Sequence, residues 1–301
     1  MSAEYHVPVL FAESLAWLDI RPDGTYVDLT FGGGGHSRGI LENLGPQGRL
    51  YGFDQDADAR ANAPDDSRFH FVESNFRFLR GALRFRGVTQ IDGILADLGV
   101  SSHHFDTPER GFSFRFDGPL DMRMNRRGRL TAEQVVNGYS AEELTRVLRT
   151  WGEVEMPHRV AAAIERARAV QSITTIEALV EAVRPCIPKR EENRFLSKVF
   201  QGIRIEVNRE MEALRMMLEQ SLKVLCSGGR LAVISYHSLE DRMVKNFMRS
   251  GNTDGNIEKD FYGQATAPFE VLTRKALVPS ETEFMQNPRA RSARLRVAEK
   301  K

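Results

Sequence analysis

The chain has 301 residues, of which 41% are hydrophobic, and sets 42 Lys and Arg against 41 Asp and Glu for a formal charge of +1. That length suits roughly two domains with a substantial core, and the near-neutral charge excludes a histone-like tail or a wholly basic nucleic-acid glue while leaving room for a local basic surface. No apolar run is long enough to span a membrane, the opening MSAEYHVPVLFAESLAW lacks the parts of a secretory signal, and Cys186 and Cys226 stand apart with no CxxC partner, so a cytoplasmic chain with neither a disulfide framework nor a cysteine-rich zinc site is expected.

In chain order, four short apolar runs, 26–29, 50–53, 69–72 and 91–96, read as buried strands. A helix over 37–44, closed by Gly45, Pro46 and Gly48, links the first two, which makes a βαβ unit with parallel strands. From His103 to about Asn193 the strand signal gives way to helix starts in which Ser or Thr precedes Glu or Gln by three: Thr131 with Gln134, Ser140 with Glu143, and Thr174 with Glu177. Leu144, Val147, Leu148 and Trp151 share one helical face, as do Ile176, Leu179, Val180 and Val183. One long helix is expected over 196–225, ending at Ser227-Gly228-Gly229. A fifth strand over 230–235 follows, then a helix capped by Ser238 with Asp241, and a closing hairpin from 269–273 and 293–297. The expected architecture is α/β: a mostly parallel sheet with an antiparallel C-terminal hairpin, built from 1–102 and 196–301, with an inserted loop and small helical domain over 103–195.

An open α/β sheet binds its ligand outside the carboxyl ends of its strands. Polar or glycine-rich residues follow all five: the glycine run 32–35 and Ser37, then Asp54 and Asp56, Asn75 and Phe76, the stretch from Asp97 to Ser102, and Ser235 to Asp241. The glycines permit a tight turn and close backbone approach, and Asp54 stands where an acid reaches a ribose hydroxyl, which points to a nucleoside-bearing cofactor. A bare βα turn and a helix-capping Asp54 are the plainer alternatives. Ser37 replaces the third glycine of GxGxxG. That absence, an acid (Asp28) within the first strand and the C-terminal hairpin favour S-adenosylmethionine over a dinucleotide, since the former has no pyrophosphate to seat on a helix start. His237, beyond the fifth strand, is either a base or substrate contact or a structural histidine, and no histidine spacing suggests a metal site.

The stretch from Gly99 to about Arg129 shows no regular pattern and has the length of a functional loop. It carries Arg110, Arg115, Arg123, Arg126, Arg127 and Arg129, interleaved with Phe105, Phe112, Phe114 and Phe116. Arginine among aromatic rings suits single-stranded RNA, and a hairpin with Phe112, Phe114 and Phe116 facing a core is the alternative. A second basic cluster, Arg289, Arg291, Arg294 and Arg296, reads either as a further basic surface or as a charged, solvated edge strand.

HVPVL (6–10), YVDLTFGGGGHS (26–37), DGILADLGVSS (92–102), ERGFSFR and GPLDMRM (109–124), ISYHSLEDR (234–242) and NPRARSARLR (287–296) together resemble the RsmH (MraW) family, S-adenosylmethionine-dependent methyltransferases of the cytosine N4 amine in bacterial 16S rRNA. The resemblance implies a class I methyltransferase sheet with an inserted helical domain. It also implies cofactor contacts at Gly34, Gly35, His36, Asp54, Phe76, Asp97 and His104, although His103-His104 stands where the family pattern has Pro-Gln. An exocyclic amine is a poor nucleophile until its hydrogen is accepted, and Asp97, Ser101, Ser102 and His237 are the candidate groups for that step. The implied partner is small-subunit rRNA or a ribosomal particle, with a homodimer left open. A nicotinamide-dependent oxidoreductase and a non-catalytic RNA-binding module are the rival readings.

Overall fold

The structure is a computed structural model that describes residues 8–100, 105–257, 259, 261–262 and 266–301. It divides into two units, Met1–Gly99 with Met211–Lys301, and Val100–Glu210. Among the described residues no helix is long and apolar enough to cross a membrane.

The first unit is built on a seven-stranded sheet, β1 (Thr25–Asp28), β2 (Arg49–Asp54), β3 (Phe69–Glu73), β4 (Ile91–Asp97), β5 (Leu225–Ser235), β6 (Phe269–Val271) and β7 (Arg294–Lys300), in the order β3-β2-β1-β4-β5-β7-β6. The first five are parallel, and β7 runs antiparallel to both β5 and β6, which is the class I methyltransferase arrangement. Ile94, Leu95 and Ala96 are wholly buried, as a parallel strand covered on both faces requires. Helices α1 (Phe11–Leu18), α2 (Gly35–Asn43) and α3 (Leu79–Phe85) belong to this unit. The strand order reverses at β1, where Asp28 lies between Gly52 of β2 and Leu95 of β4, and an α/β sheet opens a crevice at such a point.

The second unit holds α4 (Ala132–Gly138), α5 (Ala141–Thr150), α6 (Pro157–Val170), α7 (Ile176–Val183) and α8 (Glu192–Asn208). Leu144, Leu148, Val160, Ile164, Leu179, Val199 and Ile203 form its core. The capping boxes at Thr131 and Ser140 are both complete. The third start lies one residue later than expected: Thr175, not Thr174, caps α7 by accepting the Ala178 N–H.

The single helix expected over 196–225 is instead two, α8 and α9 (Glu210–Val224), broken at Arg209, whose φ of 50° is left-handed. No glycine marks the break. Tertiary bonds hold it: the Asn208 amide donates to Met122 O (2.8 Å) and accepts from Met124 N (2.8 Å), while Arg204 clasps Glu210 across the break through two bonds of 2.9 and 3.0 Å. The division between the two units therefore falls at 210/211 rather than 195/196.

Two further expectations are corrected. The edge strands are β3 and β6, so β7 is interior, and the Arg296 side chain is buried in a two-bond ion pair with Asp241 (2.6 and 3.1 Å) instead of solvated. The Phe112 to Phe116 segment contains no strand; Phe112 is buried, Phe114 meets Phe200 edge-on at 5.4 Å, and Phe116 is half exposed.

Candidate cofactor and catalytic site

The carboxyl end of β1 carries a buried polar core. The Ser37 hydroxyl donates to Asp28 Oδ2 (2.7 Å) and the Thr30 N–H to Asp28 Oδ1 (3.1 Å). Burial pushes the Asp28 carboxyl up, partly offset by the neighbouring His36 and the Ser37 bond, and pushes His36 down. His36 Nε2 lies 3.2 Å from the Val9 carbonyl, so that nitrogen carries the ring proton, and Nδ1 faces Asp97 Oδ2 at 4.0 Å.

Between β1 and α2 the chain turns through left-handed Gly32 (φ 49°) and Gly34 (φ 75°). A Cβ on Gly34 would stand 2.9 Å from the Phe31 ring, so both conformation and space require glycine there. Asp54, at the end of β2, holds this turn: its Oδ2 accepts the Gly32 N–H at 2.8 Å and its Oδ1 the Asp56 N–H at 2.8 Å. The helix-capping role considered for Asp54 belongs to Asp56, whose side chain accepts the Asp58 N–H at the head of a short 3₁₀ turn. After β3, Asn75 caps the turn that contains the partly exposed Phe76 and donates to Gln55 Oε1 at 2.6 Å.

Asp97 ends β4. Its N–H donates to Thr30 Oγ1 (2.7 Å), the Gly99 N–H donates to its Oδ1 (3.2 Å), and the Tyr236 hydroxyl hydrogen-bonds its carboxylate. Loss of hydration pushes the Asp97 carboxyl up to about 6; the Gly99 and Tyr236 bonds oppose the rise and the Glu240 charge adds to it. About a fifth of the side chain, 21%, still meets solvent, so the group is poorly hydrated yet reachable. Burial, with Asp97 and Glu240 nearby, pushes the Tyr236 phenol up, so Tyr236 stays a proton donor.

His237 sits at the N-cap of α10 (Ser238–Ser250), its ring facing the Glu240 N–H while the Glu240 carboxylate accepts the Tyr236 N–H at 2.9 Å. The cap is therefore His237 with Glu240, one residue before the expected Ser238 with Asp241. Gly34, Gly35, His36, Asp54, Phe76 and Asp97 thus lie at or just beyond the carboxyl ends of β1 to β4. Ser101, Ser102 and His104 lie outside the described residues. Gln55 was not singled out from the sequence, its position directly beside Asp54 being the available signal, and Tyr236 entered only as part of the run from Ser235 to Asp241, with no role of its own.

The model of the MraW methylase family matches residues 3–301. The chain belongs to the MraW methylase family. Proteins called ribosomal RNA small subunit methyltransferase H are similar along nearly their whole length: that of Parabacteroides distasonis is 56% identical over 98% of this chain and 97% of its own, that of Bacteroides thetaiotaomicron 56% over 99% and 98%, and that of Flavobacterium johnsoniae 52% over 99% and 98%. Membership makes the protein a methylase and removes the oxidoreductase reading.

In this methylase the arginine-rich loop divides by environment. Arg110 is buried and donates to the carbonyls of Arg123 (3.1 Å) and Met124 (3.0 Å). Arg123 grips Asp121 through two bonds of 2.8 and 2.7 Å and also donates to Arg126 O (3.0 Å) and Gly128 O (2.8 Å). These two arginines, expected at phosphates, are instead the staples that shape the loop, because guanidinium groups close otherwise unpaired carbonyls. Arg115, Arg126, Arg127 and Arg129 are exposed.

Proposed function

We propose that this methylase transfers the methyl group of S-adenosylmethionine to the exocyclic N4 amine of a cytidine in small-subunit rRNA, with Asp97 as the group that takes the amine proton. The observation that carries this reading is the Asp97 carboxylate: it stands beside the point where the strand order reverses, is partly open to solvent, and titrates at about 6. A proton acceptor works best when its pKa lies near the working pH. The names of the relatives and the resemblance of the sequence motifs support the RNA substrate.

The donor and acceptor set suits the cofactor. Asp54 is oriented by two backbone N–H groups, and a carboxylate is the acceptor type that suits the paired hydroxyls of a ribose. The left-handed turn at Gly32 and Gly34 lets backbone approach closely, and the Phe76 ring offers an apolar flank. When bound, S-adenosylmethionine supplies an electrophilic methyl on sulfonium.

Asp97 would accept the N4 proton, which makes available the amine lone pair otherwise delocalised into the ring. The Gly99 N–H and the Tyr236 hydroxyl hold the carboxylate in place throughout. Arg115, Arg126, Arg127 and Arg129 supply phosphate contacts. The test is transfer of labelled methyl to small-subunit particles followed by nucleoside analysis: label in N4-methylcytidine is expected, and label in another nucleoside, or none, overturns the reading.

A further inference from the structure

The segment 74–91 follows directly on the candidate site and contains four arginines, Arg77, Arg80, Arg84 and Arg86, with no acidic residue. Most of it is α3 and the turn before it. Leu79 and Leu83 are buried, which sets the inner side of the helix. At 100° per residue the opposite side carries Phe78, Gly81, Arg84 and Phe85. Phe78 is 50% and Phe85 88% exposed. Arg77 lies over the Phe78 ring at 4.9 Å and Arg86 near the Phe85 ring at 6.0 Å, so each ring has a planar cation beside it. Among the described residues none of the four arginines has a carboxylate within ion-pair distance. Gln220 of α9 pins the head of the helix, donating to Arg77 O (2.6 Å) and accepting from Arg80 N (2.9 Å), so the face is presented on a fixed support.

An uncompensated positive charge ringing exposed aromatic rings matches one chemistry: phosphates for the guanidinium groups and unpaired bases for the rings. An unpaired RNA strand offers both at every nucleotide, a phosphate for a guanidinium and a base for a ring. Resting on the rRNA reading above, we propose that the exposed surface of α3 is a second RNA-binding surface, on which Arg84 of the outer face, with the exposed Arg80 at its flank and Arg86 at the helix end, holds the backbone of an unpaired strand of the substrate while Phe78 and Phe85 stack its bases. It belongs to the sheet-bearing unit, and the arginine loop belongs to the other.

Two variants of the full chain test this, the triple change Arg80→Ala, Arg84→Ala, Arg86→Ala and the single change Phe85→Ala. The probes are oligouridine and small-subunit particles, alongside protein-free 16S rRNA. The triple variant should flatten the dependence of log affinity on log salt by about 2, since each single-strand phosphate contact contributes about 0.7. Phe85→Ala should weaken oligouridine binding about fivefold or more with the salt slope unchanged. For both, KM for particles should rise while kcat, S-adenosylmethionine affinity and melting temperature stay at wild-type values. Wild-type slope and KM in both variants would overturn the proposal, as would a KM increase confined to particles while naked RNA binds normally, because the face would then meet a ribosomal protein. Wild-type protein that makes no N4-methylcytidine refutes the substrate reading instead, and the oligouridine slopes still decide the α3 surface.

Discussion

Asp97 combines two demands that pull against each other: a carboxylate must lose water to become basic, yet stay open enough to receive a proton. Its pKa of about 6, against 3.8 for a hydrated aspartate, records that balance. The single-turnover rate should therefore rise through a limb centred near pH 6, and Asp97→Asn should lower the plateau by about 10²-fold with no rescue at saturating cofactor. A rate restored by cofactor would instead assign Asp97 to cofactor binding. The same shift has a stability sign. Because the folded-state pKa lies above the unfolded one, the protonated form is favoured by folding, and that contribution is complete below about pH 4 and lost as pH rises through 6. Wild type should thus lose up to about 3 kcal/mol relative to Asp97→Asn between those limits, measured by denaturant unfolding. Asp54 makes a different prediction. It anchors the glycine turn through Gly32 and is the proposed ribose contact, so Asp54→Ala should weaken S-adenosylmethionine binding by about ten- to a hundredfold in calorimetry. Unchanged affinity in a folded variant would remove it from the site. The positions of these two acids at the ends of β2 and β4 were legible because each directly follows an apolar run. The fate of Arg110 was not: nothing in a loop sequence distinguishes a guanidinium that binds phosphate from one folded back on its own carbonyls.

Among the elements, α5 and α8 are joined by one carboxylate. Glu206 accepts from Tyr139 Oη (3.1 Å), Arg146 (3.0 Å) and Trp151 Nε1 (2.8 Å), so a single side chain satisfies a phenol, a guanidinium and an indole. Glu206→Ala leaves all three without that acceptor and should cost the helical unit about 2 kcal/mol or more, read as a lower urea midpoint, with cofactor affinity unchanged. A wild-type midpoint would show that water replaces the carboxylate at no cost. The strands were readable because burial on both faces leaves an unbroken apolar run, and two helix starts were readable because a capping box is local chemistry. The break at Arg209 was hidden, since the bonds that hold it reach from Asn208 to Met122 and Met124, far away in sequence. The shift of two other caps by one residue has the same origin: in Thr174-Thr175 and His237-Ser238 adjacent side chains compete for one position, and tertiary packing chooses.

For the whole molecule, a net charge of +1 conceals local accumulations. Replacing Arg126, Arg127 and Arg129 together should weaken binding to small-subunit particles and flatten its salt dependence by about 2, leaving cofactor affinity intact. A wild-type slope would return these side chains to the role of solvated surface. The mostly parallel sheet interrupted by a helical block was visible in the alternation of strand runs and capping signals, whereas the point of return to the sheet was not, because α8 and α9 share one continuous apolar periodicity. The interruption bears on how the protein reaches its native state. The chain leaves β4 at Asp97 and rejoins the neighbouring strand β5 only at Leu225, so the pairing of these two central strands must close a very long loop. Folding the helical unit first gathers most of that loop into a compact body and spares about 2 kcal/mol of closure entropy. The helices would then act as a folding clamp for the sheet: a variant that weakens them, Glu206→Ala included, should slow the refolding of the β4–β5 core even where the finished sheet is untouched.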